Sequence, residues 1–230
     1  MKIEILEFIN GAKQAQGIVV VIDVFRAFSV ACYAYDSGAA QYIAVGDIKS
    51  AFELKKKYGN SVLVGERNEK KIAGFDFGNS PTEILKANLT GATVIHTTTA
   101  GTNGLINAQN AAVLLTGSFV NAGAIVRYIT ALKPERVSLV AMGYRAETSA
   151  DEDILCARLI ADRLKGHQPD YEAQVSDLKT GSGRRFFNPL NIEFSPPTDF
   201  FLCTMIDRFD FVLKAEKRFD GHICLVKTDI

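Results

Sequence analysis

Short, continuously apolar runs alternate along the chain with stretches whose apolar residues recur at helical spacing. The apolar runs are rich in Val and Ile, and they are GIVVVIDV (17–24), QYIAV (41–45), SVLVG (61–65), ATVIHT (92–97), AAVLLTG (111–117) and RVSLVAMG (136–143). Runs of this length and composition are typical of strands buried on both faces. Helical spacing is clearest in residues 47–59, 121–132 and 149–166. The alternation predicts an α/β fold in which helices cover both faces of a mostly parallel sheet.

The pattern becomes less regular after residue 166. Residues 167–199 contain most of the prolines and a Gly-Ser-Gly loop, and HICLV (222–226) predicts a last strand. No break in composition, fixed-period repeat or low-complexity tract marks a linker. We therefore predict a single domain, residues 1–230, in which residues 166–230 form a less regular C-terminal extension.

The composition excludes several classes of function. Lys and Arg total 26 and Asp and Glu total 26, whereas a general nucleic-acid binder or a polybasic membrane binder needs a basic excess. No apolar run approaches the roughly 20 residues of a membrane span, and the start MKIEILEF has no signal-peptide core. The four cysteines are scattered without a CxxC pair, as expected of reduced cysteines in a cytoplasmic protein.

Polar residues collect directly after the predicted strands, where ligands bind in open α/β sheets. In chain order they are Asp23, Arg26 and Ser29; Glu66 and Arg67; Thr97, Thr98, Thr99, Gly101, Thr102 and Asn103; Thr116, Ser118 and Asn121; and Arg145, Glu147, Asp151, Glu152 and Asp153. Hydroxyls, backbone amides and arginines bind phosphate, and carboxylates bind Mg²⁺. The mixture predicts a site for a phosphorylated, multiply anionic ligand that is held through a divalent cation.

A structural interpretation competes with the functional one at each of these positions, because short polar residues after a strand often cap the next helix. Asn121 is typical of such a cap, and Ser149 with Glu152 has the spacing of a capping box. Asp23 differs because it ends a wholly apolar strand, where a carboxylate needs a partner or a metal. Arg26 could be that ion-pair partner or a ligand-binding group.

The segment GERNEKKIAGFDFGNSP (65–81) is a long irregular connection for a compact α/β unit, and such connections are often functional. Ser80 and Pro81 suit the start of a helix. Glu66, Arg67 and Asp76 have no local structural role that the sequence reveals. The sequence also lacks a P-loop, a CxxxxxR phosphatase motif, a DxD pair at Asp23 and a zinc-type histidine pair.

These segments resemble the Mg²⁺-dependent 2-phosphosulfolactate phosphatase family. The resemblance runs in order through VIDVFRAFS (21–29), GERNEKKIAGFDFGNSP (65–81), TTTAGT (97–102), GSFVNA (117–122) and EDILCA (152–157), and more weakly through SGR (182–184) and DFFLC (199–203). It implies a three-layer α/β/α fold with a mostly parallel, mixed sheet. It also implies hydrolysis of (R)-2-phospho-3-sulfolactate to 3-sulfolactate and phosphate, a step towards coenzyme M.

With that resemblance in view, we hypothesise a Mg²⁺-assisted reaction. The candidate metal ligands are Asp23, Glu66, Asp76, Glu152 and Asp153, and the candidate catalytic residues are Asp23, Arg26, Glu66 and Arg67. The candidate substrate-binding residues are Ser29, Asn79, Ser80, Thr97, Thr98, Thr99, Gly101, Thr102, Asn121, Arg145 and Arg184, with Arg185 as a further positive group. The nucleophile is a water activated by the metal or the Asp23 carboxylate, and the sequence does not choose between them.

Two other functions stay open at this point. One is a phosphatase of another 2-phospho acid, and the other is a non-catalytic module that binds a phosphorylated or sulfonated metabolite. The expected partner in each case is a small anionic molecule rather than a nucleic acid or a membrane. The apolar C-terminal segment, residues 199–213, is a candidate surface for a homodimer.

Overall fold

The computed structural model describes residues 1–168, 170–218 and 220–230. The strands in these residues are β1 (Lys2–Glu7), β2 (Gly17–Ile22), β3 (Gln41–Ala44), β4 (Ser61–Arg67), β5 (Lys70–Lys71), β6 (Thr93–Thr97), β7 (Ala111–Gly117), β8 (Arg136–Ala141), β9 (Phe211–Lys217) and β10 (Ile223–Asp229). The α-helices are α1 (Phe8–Gln14), α2 (Ala27–Asp36), α3 (Ile48–Lys57), α4 (Pro81–Ile84), α5 (Gly101–Asn107), α6 (Ala122–Leu132), α7 (Asp151–Leu164), α8 (Glu172–Asp177) and α9 (Pro197–Cys203). Short 3-10 helices cover Phe119–Asn121, Ser182–Phe187 and Pro189–Asn191.

All ten strands form one mixed sheet in the order β1-β8-β2-β7-β9-β10-β3-β6-β4-β5. Strands β1, β8, β2 and β7 form one parallel block, and β3, β6 and β4 form another. The antiparallel β9–β10 hairpin lies between the two blocks. The C-terminal segment of the chain therefore contributes the middle of the sheet.

Helices cover both faces of this sheet, because alternate side chains of a strand point to opposite faces. Val19 and Val21 of β2 pack towards α2, in a core cluster that also includes residues of β3, β4 and β6. Ile18, Val20 and Ile22 pack on the other face against α6 and α7. Helix α3 covers the corresponding face of β3, β4 and β6. The predicted α/β fold, with three α/β/α layers and a mostly parallel mixed sheet, is confirmed.

The direction of the strands determines where a ligand site can form. Three successive antiparallel pairings separate β7 from β3, so the two parallel blocks run in opposite directions. In a flat sheet their carboxyl ends would lie at opposite edges. Residues that follow β2 and β8 nevertheless line the same cleft as residues that follow β4 and β6. Residues that follow strands of both blocks therefore converge on one cleft, although the blocks run in opposite directions.

The four cysteines are all free thiols, and three of them are buried. Within the described parts of the chain, no helix is both long and apolar enough to cross a membrane.

Candidate active site

One cleft at these strand ends gathers most of the charged residues that the sequence singled out. Its polar lining consists of Asp23, Arg26, Glu66, Asn68, Glu69, Asn79, Thr98, Thr99, Arg145, Glu152, Asp153 and Arg185. Phe25, Ala100, Gly143 and Tyr144 complete the lining. The five carboxylates outnumber the three arginines. An anionic ligand therefore needs a cation beside it to bind among these carboxylates.

Asp23 lies at the carboxyl end of β2 and is almost completely buried. Its Oδ1 accepts a hydrogen bond of 3.1 Å from the Ala27 N–H, and its Oδ2 faces Gly101. Burial, together with the negative charges of Glu66 and Glu152 and against the opposing effect of the Ala27 N–H, raises the pKa of Asp23 to about 6. Asp23 therefore lines the cleft as a buried carboxyl group whose pKa lies closer to neutral pH than that of an ordinary aspartate.

Glu66 and Asp153 are held by backbone N–H groups on both oxygens. Glu66 accepts bonds from the N–H groups of Thr99 and Glu69, at 2.8 and 2.9 Å. Asp153 accepts bonds of 2.8 Å from the Val24 N–H and 2.9 Å from the Gly143 N–H. Each carboxylate therefore joins two loops of the cleft. Burial and the charge of Glu152 raise the pKa of Asp153, while the two N–H donors oppose that rise.

Glu152 lies in the first turn of α7 and is buried. The capping box that its spacing from Ser149 suggests does not form, because Ala150 is the N-cap and makes no side-chain cap. Among the described residues, Glu152 Oε2 has no hydrogen-bond partner. Burial raises the pKa of Glu152, and the positive charge of Arg185 opposes that rise.

The three arginines of the cleft differ in how firmly they are held. Arg26 is almost completely buried and donates to Asp199, to the carbonyl of Phe194 and to the carbonyl of Glu69. Its peptide bond to Phe25 is cis. These three hydrogen bonds hold the Arg26 guanidinium in one orientation.

Arg185 is half-buried and donates to Glu69 Oε1 and to the carbonyl of Phe25, both at 2.9 Å. Arg145 is exposed, lies in a left-handed backbone conformation with φ of 57°, and stacks on Tyr144. Arg145 therefore keeps the greatest freedom to bind an incoming anion.

Asn79 lines the cleft through a chain of buried polar groups. The hydroxyl of Tyr42 lies 2.6 Å from His96 Nδ1, and His96 Nε2 lies 3.2 Å from Asn79 Oδ1. Burial, with a contribution from the charge of Arg67, lowers the pKa of His96 to about 3, so the imidazole is neutral and has one N–H. Tyr42 then donates to Nδ1, and Nε2 donates to Asn79 Oδ1. The Asn79 NH₂ group is therefore left to face the cleft as a hydrogen-bond donor.

The carboxylates can be tested for their fit to Mg²⁺. Within residues 1–168, 170–218 and 220–230, no three His, Cys, Asp or Glu side chains are grouped as a complete metal site. Mg²⁺ usually binds through one or two carboxylates and completes its shell with water and substrate phosphate. Glu152 Oε2, which is buried without a partner in the described chain, and Asp23, whose carboxylate lines the same cleft, fit that requirement. Asp23 and Glu152 are therefore the residues that would hold the ion.

Asp76 and Arg67 are not among the residues that line the cleft. Asp76 accepts bonds of 2.7 Å from the Leu63 N–H and 3.0 Å from Lys55 Nζ. Arg67 follows Glu66 on β4 and therefore points the opposite way. Its guanidinium donates to the carbonyl of Glu66 and to Thr97 Oγ1.

Several predicted substrate-binding residues support the walls of the cleft instead of lining it. Ser29 donates to the carbonyl of Val24. Thr102 bonds to Thr98 within the segment TTTAGT (97–102). Asn121 occupies the N-cap position of α6, as predicted, but makes no side-chain cap there, and its Oδ1 instead accepts from the Ser118 N–H in a capping box around the preceding 3-10 helix. The remaining members of this group are Ser80, which caps α4 and donates to Asp199; Thr97, which accepts from Arg67; and Gly101, which lies against Asp23.

At the C-terminal side the cleft contains Arg185, whereas its neighbour Arg184 is exposed and lies outside. The 3-10 helix Ser182–Phe187 directs the two side chains to different sides. Asn68 and Glu69 line the cleft but are not among the predicted site residues. Both have left-handed φ values and form the tight turn between β4 and β5. The Asn in GERNEKK was the sequence signal for that turn.

Comparison with known proteins shows which family the sequence resembles. A sequence profile for 2-phosphosulpholactate phosphatase matches residues 4–188. The chain is 34% identical over 227 residues to a probable 2-phosphosulfolactate phosphatase of Caldanaerobacter subterraneus subsp. tengcongensis, which covers 90% of this chain and 91% of that one. A protein of the same description from Bacillus subtilis is 33% identical over 217 residues, covering 93% of this chain and 92% of the relative.

A third relative, the probable 2-phosphosulfolactate phosphatase of Carboxydothermus hydrogenoformans, is 40% identical over 153 residues, or 66% of this chain and 63% of its own. The profile match includes every residue that lines the cleft. On the extent of these matches, the chain belongs to the 2-phosphosulpholactate phosphatase family.

Proposed function

We propose that the protein is a Mg²⁺-dependent phosphatase that hydrolyses (R)-2-phospho-3-sulfolactate to 3-sulfolactate and phosphate, on the route to coenzyme M. The observation that carries the proposal is the cleft itself, in which buried carboxylates and three arginines converge in a member of this family. The proposal predicts a cytoplasmic enzyme whose partner is a small phosphorylated acid.

The charges of the cleft suit such a substrate. Phosphosulfolactate carries a phosphate, a sulfonate and a carboxylate, and the cleft offers Arg26, Arg145 and Arg185. Arg26 is firmly oriented and is assigned to the phosphoryl oxygens. The more exposed Arg145 and the half-buried Arg185 are assigned to the sulfonate and carboxylate, which arginine binds well.

Neutral donors add to these charges. The Asn79 NH₂ group faces the cleft, and Thr99 Oγ1 is buried with no partner among the described residues. Such preoriented donors stabilise the charge that develops on phosphoryl oxygens during transfer. A bound Mg²⁺ would supply the remaining positive charge and draw electron density from the phosphoryl group.

Asp23 is the residue on which the chemistry depends. Its Oδ1 is held by the Ala27 N–H, its Oδ2 lies beside Gly101, and the residue lines the cleft. This carboxylate either attacks phosphorus or orients the water that attacks. In both cases the bond between phosphorus and the C2 oxygen breaks, and the leaving oxygen takes up a proton.

Phosphate release from racemic phosphosulfolactate and from phospholactate, with Mg²⁺ and with excess EDTA, tests the proposal. We expect turnover that requires Mg²⁺ and is faster with the sulfonated substrate. Equal rates with both substrates would indicate a phosphatase of another 2-phospho acid. Binding without turnover, measured by calorimetry, would indicate a non-catalytic binding module and overturn the proposal.

A further inference from the structure

Arg26 is paired with a carboxylate that lies behind the cleft. Arg26 Nη1 and Asp199 Oδ2 are 2.9 Å apart, and both side chains are almost fully buried. Asp199 lies in the first turn of α9 and does not line the cleft. The profile match ends at residue 188, so Asp199 lies beyond the residues that the profile covers.

The second oxygen of Asp199 holds another part of the cleft wall. Asp199 Oδ1 accepts bonds of 2.8 Å from Ser80 Oγ and 3.0 Å from the Thr82 N–H. Ser80 is the N-cap of α4, which follows directly after the cleft residue Asn79. One buried carboxylate therefore joins the C-terminal segment to two segments of the cleft.

This arrangement determines how Arg26 presents its remaining donors. The described residues occupy three of its five N–H groups, through Asp199, the Phe194 carbonyl and the Glu69 carbonyl. A guanidinium is planar and rigid. The bond from Nη1 to Asp199 therefore also sets the direction of the other two nitrogens. The other two N–H groups have no partner among the described residues, and Arg26 lines the cleft.

We propose that Asp199 is a positioning residue, which orients the Arg26 guanidinium towards the phosphoryl group through the Nη1–Oδ2 ion pair. The inference rests on the proposed function, in which Arg26 binds phosphoryl oxygens. Because the interaction with Arg26 strengthens as charge develops in the transition state, loss of positioning lowers kcat more than it raises KM.

A double-mutant cycle tests the proposal, with kcat and KM for phosphosulfolactate in Mg²⁺ and the melting temperature measured for each protein. The variants are Asp199→Asn, Arg26→Ala and the double variant. Asp207→Asn is the matched control, because Asp207 also binds an arginine, Arg163, and a backbone N–H but does not line the cleft. The control should lower the melting temperature and leave kcat unchanged.

We expect Asp199→Asn to lower kcat by about 100-fold, the size of effect that misplacement of about 1 Å can produce. In the Arg26→Ala background the same change should add less than about threefold, because the two residues act as a unit. A kcat within about threefold of wild type for Asp199→Asn, or an equal loss in both backgrounds, would overturn the proposal. If Asp199→Asn does not fold, Asp199→Glu replaces it in the cycle under the same criteria, because it keeps the charge beside Arg26.

The readout separates this inference from the proposed function. If the wild type turns over and Asp199→Asn keeps its kcat, the positioning role fails and the function stands. If the wild type does not turn over, the function fails, and inorganic phosphate binding by calorimetry becomes the readout. Asp199→Asn must then weaken phosphate binding about tenfold in an Arg26-dependent way, a change of about 1.4 kcal/mol. Phosphate binding that is unchanged, or absent from the wild type, overturns the inference.

Discussion

Gly101 approaches Asp23 so closely that a side chain at position 101 would collide with the carboxylate. A Cβ atom there would lie 2.8 Å from Asp23 Oδ2 and 2.9 Å from Ala27 Cβ. Gly101→Ala should therefore displace Asp23, lower the free energy of unfolding by about 1–3 kcal/mol and reduce kcat. Urea unfolding and steady-state kinetics measure the two effects.

Gly59 offers a matched control, because a Cβ atom at that position would meet nothing within 4 Å. Gly59→Ala should leave kcat unchanged. Wild-type kcat in Gly101→Ala would show that the Asp23 carboxylate does not need its present position.

The role of Asp23 can be separated from that of the other carboxylates by substitution and by stereochemistry. Asp23→Asn should lower kcat by about a thousandfold or more, because an amide neither attacks phosphorus nor accepts a proton. Asp76→Asn should keep kcat, because Asp76 binds the Leu63 N–H and Lys55 outside the cleft. Equal losses in the two variants would contradict this assignment.

A phosphorothioate analogue of the substrate, made chiral at phosphorus with two oxygen isotopes and hydrolysed in water that carries the third, then distinguishes the two routes. Attack by Asp23 gives two displacements and retention at phosphorus, whereas direct attack by water gives inversion.

Arg145 should determine selectivity for the sulfonate. It is exposed at the cleft and stacks on Tyr144. Arg145→Ala should raise KM for phosphosulfolactate by about tenfold or more, corresponding to at least about 1.4 kcal/mol, and change turnover of a simple aryl phosphate little. Arg184→Ala, which changes an exposed arginine outside the cleft, is the control. Equal changes for both substrates would assign Arg145 to the phosphate instead.

Much of the fold and the centre of the site could be predicted from the sequence. Continuous Val and Ile runs predict buried strands, and all six predicted runs overlap strands of the sheet. Asp23 could be identified because a carboxylate that ends an apolar strand is costly to bury unless it has a partner or a metal. Strand β9 was missed because its sequence, FVLKAEK, is apolar only in its first half.

The rest of the site depends on side-chain direction and on distant parts of the chain. Adjacent residues Glu66 and Arg67 are equally plausible in the sequence, and only the orientation of β4 sends one into the cleft and the other away. Asp199 meets Arg26 across 173 positions of sequence. A local sequence pattern cannot reveal this contact, because the contact depends on where α9 packs in the folded protein.

Glu152 provides a test of metal binding that does not depend on turnover. Its carboxylate is buried, faces the other acids of the cleft and has an unpartnered Oε2 among the described residues. Glu152→Gln should raise the free energy of unfolding in EDTA by about 1–3 kcal/mol, because it removes a buried negative charge that lies near the carboxylates of Asp23 and Asp153. It should also reduce the increase in melting temperature that Mg²⁺ produces in the wild type.

Glu53→Gln changes an exposed carboxylate of α3 and is the control for the substitution itself. If Glu152→Gln is less stable than the wild type in EDTA, or responds to Mg²⁺ as the wild type does, Glu152 does not bind the ion.

His96 should make the protein less stable in acid. Its pKa is about 3 in the folded protein and about 6.5 in an unfolded chain. Between these values the unfolded chain binds a proton that the folded protein does not. The free energy of unfolding therefore falls as pH falls through this window, by up to about 1.4 kcal/mol per pH unit from this residue.

His96→Gln tests this linkage, because glutamine can still accept from Tyr42 and donate to Asn79 but does not titrate. Urea unfolding at pH 7, 6 and 5 should give a lower stability than wild type at pH 7 and a shallower loss towards pH 5. Asp23 has a raised pKa and so contributes the opposite slope, which is why the difference between the two proteins is the quantity to measure. Identical slopes in the two proteins would mean that the folded protein accepts a proton on His96, and the Tyr42–His96–Asn79 chain would then not orient the Asn79 amide as described.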